Sequence, residues 1–245
     1  MNRAIWLTVA ALVAFGAIVV ARLPASWLVP TSKSDVQCTD VSGTVWNATC
    51  TGLLVQRQPV GDLTWDIHAG RLLAGKLGAD LVLTRANGSA RGYVEAGLGQ
   101  TLTARDLHVD LPLDPALMPQ LPSNLTGHLH ADIAALRVAY HRVRSIIGRI
   151  EARDLRLGIG GTAEELGSYQ LTFPATGGTP VGQLGDLGGP LEVRGTLTLT
   201  PEPGFSLQSQ VRPRPSASAE LSRDIQFLGS PDSQGWRPFL IAGTF

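Results

Sequence analysis

Cys38 and Cys50 are the only two cysteines among 245 residues, and their closeness in the chain makes a disulfide the first chemistry to consider. Ser42-Gly43 lies between them and lets the chain fold back as a hairpin, bringing the thiols together. Closing such a loop stabilises a fold by about 3 kcal/mol in the chain-entropy model. Two free buried thiols are the alternative, since cysteine is commonly buried without a partner. A zinc site lacks further ligands nearby, the closest histidine being His68.

Other candidates lead away from catalysis. His128 and His130 are two apart on an expected strand, so they share a face and would grip a metal only with a third ligand from elsewhere. That face reads as solvent-directed, and His68, His108 and His141 read as isolated surface residues. Residues 158–163, Gly-Ile-Gly-Gly-Thr-Ala, match the dinucleotide fingerprint G-x-G-x-x-A after a strand. The fingerprint needs a helix to receive the pyrophosphate, whereas here Gly167 follows and a strand resumes, which makes it a glycine turn. Glu164-Glu165 reads as a solvated turn. Asn47, Asn87 and Asn124 open formal glycosylation sequons, a pattern that arises easily by chance. There is no nucleophile elbow, phosphate loop or carboxylate pair at acid–base spacing. The expectation is binding without catalysis, with no cofactor and no metal.

The element that positions everything else is Ala4 to Ala21, an uncharged, mostly apolar run of eighteen residues. As a helix it spans roughly 27 Å, just short of a ~30 Å hydrocarbon core. Arg3, Trp6, Arg22 and Trp27 flank or end it, where basic and amphipathic side chains prefer a membrane interface. A cleaved signal peptide would have a shorter apolar run and a small-x-small site; here Arg22-Leu23-Pro24 follows. A buried core helix would need a polar face. The reading is a cytoplasmic tail at residues 1–3, a transmembrane anchor and stem at 4–28, and a β-rich body at 29–245. Basic residues near the anchor are almost balanced, so the expected disulfide decides orientation and places the body outside the cytoplasm.

Composition agrees with a displayed globular body. The chain is 44% hydrophobic and its formal net charge is zero, which argues against nucleic acid or an anionic surface as the partner. Twenty-eight glycines and sixteen prolines punctuate short alternating runs, the pattern of many strands joined by turns. Val41–Val55 and Asp62–Ala69 read as strands about a turn at Gln58-Pro59-Val60-Gly61, followed by a helical turn at Arg71–Gly75. In Gly75–Thr84, Leu77, Ala79, Leu81 and Leu83 share one side, as in a half-buried antiparallel strand. A hairpin at Asn87-Gly88 leads to Arg91–Leu98. Within Thr101–Leu111 the apolar parity slips by one, from Leu102 and Ala104 to Leu107, Val109 and Leu111. The slip predicts a bulge near Arg105-Asp106. Asp114-Pro115 reads as the start of a short helical turn.

Further strands are expected over Leu125–Tyr140, Ile146–Ile159, Tyr169–Phe173, Val181–Leu187, Leu191–Thr200, Phe205–Arg212 and Trp236–Phe245. One short amphipathic helix begins at Ser218 and carries Leu221, Ile225 and Leu228 on one face before Gly229 and Pro231. Similar segments opening at Gly75, Gly127 and Gly148 are either a repeat or the common look of an amphipathic strand after glycine. The fold class is mainly β: an N-terminal transmembrane helix, then a curved, largely antiparallel many-stranded sheet, either an open groove or a partial barrel. An open sheet leaves an apolar face for the helix, a partner protein or lipid to cover.

Several stretches resemble the type II secretion system protein N family. They are Leu23-Pro24-Ala25-Ser26-Trp27-Leu28, Gly43-Thr44-Val45-Trp46, Leu63-Thr64-Trp65-Asp66-Ile67 and Leu72-Leu73-Ala74-Gly75-Lys76-Leu77. In the C-terminal part they are Gly189-Pro190-Leu191-Glu192-Val193-Arg194-Gly195, Arg212-Pro213-Arg214-Pro215 and Leu228-Gly229-Ser230-Pro231-Asp232-Ser233-Gln234-Gly235. Cys38 and Cys50 are not part of that pattern, so their pairing rests on the residues alone. The resemblance implies a single-pass inner-membrane protein with a periplasmic body. Its expected role is accessory to the machine that exports folded proteins across the outer membrane. It also implies contacts with other inner-membrane and periplasmic secretion components, and no catalytic residues. A periplasmic lipid-binding groove is the alternative.

Overall fold

The computed structural model describes residues 2–27, 35–113, 121–159, 162–175, 178–200 and 204–244. The chain divides into two compact units, residues 1–85 and 86–245. The helical turn expected at Asp114-Pro115 lies outside the described residues.

In the first unit, helix α1 (Asn2–Ala21) and a 3₁₀ turn (Ala25–Trp27) precede four strands. These are β1 (Val36–Gly43), β2 (Asn47–Val55), β3 (Gln58–Ile67) and β4 (Lys76–Arg85), paired antiparallel in sequence order. The anchor expected over Ala4–Ala21 therefore lies within a helix, and its described side chains are exposed, Trp6 at 74% among them. That described part begins at Trp6, and among the described residues no helix is long and apolar enough to cross a membrane. The turn placed at Gln58–Gly61 sits two residues earlier. Gln56 and Arg57 both have positive φ, 50° and 67°, and Val55 pairs with Gln58 across them. Two consecutive left-handed residues match the twist of a two-residue hairpin, so the strand runs through Pro59.

The second unit contains β5 (Gly88–Gly97), β6 (Thr101–Pro112), β7 (Leu125–Ala139), β8 (Arg142–Ile159) and β9 (Thr162–Phe173). It continues with β10 (Val181–Gly188), β11 (Leu191–Thr200), β12 (Gly204–Pro213), helix α2 (Ala219–Asp224), a 3₁₀ turn (Ile225–Leu228) and β13 (Arg237–Thr244). All pairings are antiparallel and follow sequence order, and no described ladder joins β13 back to β5. Of the two expected forms, the linear order is that of an open sheet.

Register explains how one sheet carries two chemistries. A single row crosses the nine strands as Ala90, Val109, Ala131, Ile150, Leu171, Leu184, Gly195, Ser209 and Phe239. The next row, on the opposite face, reads Arg91, His108, Asp132, Arg149, Thr172, Gln183, Thr196, Gln208 and Leu240. Successive side chains of a strand point to opposite faces, so one face is apolar and the other polar. Helix α2 covers the apolar face where Val211, Leu221 and Ile225 bury together against Leu166, Leu191, Val193 and Ala217. Elsewhere that face is mixed: Leu111, Ala131, Ile133 and Phe173 are buried, while Val109, Ile150, Leu171, Leu184 and Phe239 keep partial exposure.

The parity slip in β6 is a bulge. Arg91 pairs with His108 and Tyr93 with Arg105, so β6 carries one extra residue, and Asp106 sits there at φ 49°. Asp154 does the same in β8 at φ 52°, with its amide donating to Ser168 Oγ at 3.0 Å. Asp tolerates the left-handed region, whereas a β-branched residue is strained there. Asp106→Val is expected to lower stability by about 1–2 kcal/mol, and Asp106→Gly to leave it nearly unchanged. Denaturant unfolding of the two variants separates a backbone effect from a lost carboxylate.

Two further readings change. Glu164 and Glu165 lie within β9, and Glu164 accepts a hydrogen bond from the Ser218 hydroxyl, so it is no solvated turn. The segments opening at Gly75, Gly127 and Gly148 are not equivalent: Gly75 closes a 3₁₀ turn, while the other two lie inside β7 and β8.

Candidate functional site

The residues that could do something converge in two places, one in each unit. In the first unit the site is a clasp between α1 and the β1–β2 turn. The last carbonyls of a helix have no partner within it. Here the Trp46 indole Nε1 donates to the Val20 carbonyl at 2.9 Å, and Val45 N donates to the Leu23 carbonyl at 2.9 Å. Pro24 bridges to Thr44, and Ala25 is completely buried beneath the joint. A second tryptophan fixes the turn, since Trp65 Nε1 donates to the Val45 carbonyl at 3.0 Å. Ile67 N then donates to the Trp46 carbonyl, so β3 also ends at the clasp.

The disulfide stands behind this joint. Cys38 and Cys50 are bonded across β1 and β2 with Cα atoms 5.6 Å apart, and Cys50 is almost fully buried. They are not register partners: Cys38 faces Leu53 and Cys50 faces Val41. Of the expected interface residues, Arg22 and Trp27 are exposed at the α1 end and Trp6 is exposed further along it. The side chain of Arg3 lies outside the described residues.

In the second unit, Arg194 and Arg212 lie over the Trp236 ring, 4.1 and 4.6 Å from its centroid, and the ring is 4% exposed. Arg212 Nε donates to Glu192 Oε2 at 2.7 Å, which aims the guanidinium. Asp232 Oδ1 accepts from the Gln234 and Trp236 amides at 2.8 and 2.9 Å, folding the turn that delivers Trp236 to this cage. Next to it Arg214 bonds Asp186 and the carbonyls of Gly189 and Leu191. The Asp186 carboxylate raises the Arg214 pKa, and burial, with Asp186 second, pushes the Tyr169 phenol up to about 12. None of these groups is a nucleophile beside a base. The arrangement fixes strand ends.

The histidines take partners that the sequence did not suggest. His108 Nδ1 and His130 Nε2 reach the two oxygens of Asp132 at 2.6 and 3.0 Å. The hydrogen bond to His108 is the main reason that the Asp132 carboxyl stays below the usual range. His68 pairs with Asp80 at 2.7 Å, so His68 and His108 are not isolated residues. Among the described residues no group of three His, Cys, Asp or Glu side chains is placed to hold a metal ion. At the glycine fingerprint, Ile159 pairs directly with Thr162, so a hairpin stands where a dinucleotide fold would start a helix.

Comparison with known proteins bears on these two sites. The family model for type II secretion system (T2SS), protein N, matches residues 34–239. A type II secretion system protein N from Vibrio cholerae is 26% identical over 212 residues, which covers 83% of each chain. One from Aeromonas hydrophila is 23% identical over 253 residues, covering 99% of each. No solved structure matches. The tryptophans of the clasp and the arginine-caged tryptophan all lie in or next to the short stretches that carried the resemblance.

Proposed function

Because the chain belongs to the type II secretion system protein N family, we propose that it is a non-catalytic accessory part of that machinery, held in the inner membrane by α1. Its β-rich body stands in the periplasm and contacts other secretion components there. The observation that carries this reading is the clasp: an apolar helix, its described side chains exposed, ends on a sheet that grips the Val20 carbonyl. A helix with no polar face has no reason to stand in water. The disulfide supports an oxidising compartment for the body.

Two measurements test it together. A clean deletion should impair export of folded type II substrates and leave them in the periplasm, and the full chain should restore it. Cross-linking in intact membranes should join the body to other secretion components. Normal export after deletion would refute the reading.

A second reading, a lipid-binding groove, is favoured by one observation. Away from the part that α2 covers, the apolar row across β5–β13 keeps Val109, Ile150, Leu171, Leu184 and Phe239 partly exposed. Native mass spectrometry of the body would then find bound phospholipid; a lipid-free body would leave the secretion scaffold alone.

A further inference from the structure

The connection between β3 and β4 carries an apolar tip that the first unit leaves uncovered. Leu73 is 95% exposed and Leu72 45%, on the 3₁₀ turn Ala69–Ala74. Gly75, in the left-handed region at φ 68°, closes that turn and returns the chain into β4. Arg71 and Lys76 flank the two leucines.

The ladder fixes where this tip lies. The Val20 carbonyl at the end of α1 accepts from Trp46, and the Trp46 carbonyl accepts from Ile67 N, the last residue of β3. His68 N then donates to the Gly78 carbonyl, and the tip begins at the next residue. Trp27, 77% exposed, stands at the same end through the bridge of Pro24 to Thr44. The Gln56–Arg57 hairpin closes the opposite end of these strands.

We propose that Leu72 and Leu73 form a second, interfacial contact with the bilayer that α1 enters. The leucines sit in the boundary between headgroups and acyl chains. The inference rests on reading α1 as a membrane anchor. Lipid is the occupant because the tip continues the end of α1 and presents its exposed leucines there. A single helix lets the body swivel about its own axis. Two contacts fix which face of the sheet turns towards the membrane.

The test uses the full chain in vesicles of phosphatidylethanolamine and phosphatidylglycerol that carry a spin label high on the acyl chain. An environment-sensitive fluorophore is attached to Leu73→Cys, with Ile18→Cys in α1 and Arg57→Cys at the far hairpin as references. Label at 73 should shift to the blue and lose most of its intensity, as label at 18 does, while label at 57 keeps its own. A label on Gly70→Cys, where an added side chain meets open space, repeats the measurement with both leucines intact. Its quenching should vanish in Leu72→Asp/Leu73→Asp. Quenching at 18 with none at 73 or 70 overturns the inference and leaves the anchor standing. No quenching at any of them overturns both.

Discussion

Replacing Trp236 with alanine should cost the second unit about 4 kcal/mol. The ring is almost wholly buried, and truncating a buried tryptophan removes roughly 3–5 kcal/mol of packing and transfer free energy. The two guanidinium groups over it each add about 0.5–1 kcal/mol of cation–π attraction, lost at the same time. Once the ring is gone, Arg194 and Arg212 face a cavity and turn to water, which recovers part of their share. Denaturant unfolding followed by far-ultraviolet circular dichroism reads the loss as a lower midpoint, and hydrogen exchange locates it at β13. Trp236→Phe should lose less than half as much, because it keeps a stacking face. A loss under about 1 kcal/mol for Trp236→Ala would mean that the cage decorates β13 and does not hold it.

The second large effect is expected at the disulfide. The Cys38→Ser/Cys50→Ser double variant should lower the stability of the first unit by about 3 kcal/mol, the entropy of a loop of about a dozen residues. Cys50 is also the largest fully buried side chain among the described residues, so its hydroxyl replacement adds a polar group to an apolar site. Reductant should lower the wild-type chain by the share of the bond, leaving it above the variant by the cost of the buried hydroxyl, and should leave the variant itself unchanged. Unfolding measured with and without reductant on both proteins gives the four values needed. If reductant shifted both proteins equally, the bond would not be the source of the stability.

Local features of the fold were legible because they are written in neighbouring residues. The bulge at Asp106 follows from the change of apolar parity between Ala104 and Leu107, and the Ser218 cap from its place before an amphipathic run. The same Ala-Arg-Asp-Leu recurs at 152–155, where parity also slips from Ile150 and Ala152 to Leu155 and Leu157, and that signal was there to be read. Turns made without glycine escaped: Gln56-Arg57 takes left-handed geometry while Pro59-Val60-Gly61 looked more turn-like. The sites were less legible than the fold. Trp236 meets Arg194 and Arg212 from two other strands, and Trp46 reaches the carbonyl of Val20 twenty-six residues away. Residue type marks such side chains as available, and only the register of the ladders decides which of them meet.

The strictly sequential strand order has a consequence for biosynthesis. Every strand within each unit leans on the one made just before it, so no segment must wait for a distant partner to be synthesised. Structure can accrue hairpin upon hairpin while later residues are still being added, with little loop entropy lost at each step. The growing edge is the vulnerable point, a bare row of amides and carbonyls until its successor emerges. A pause in delivery would leave that edge naked for longest, and there a passing chaperone would be most useful.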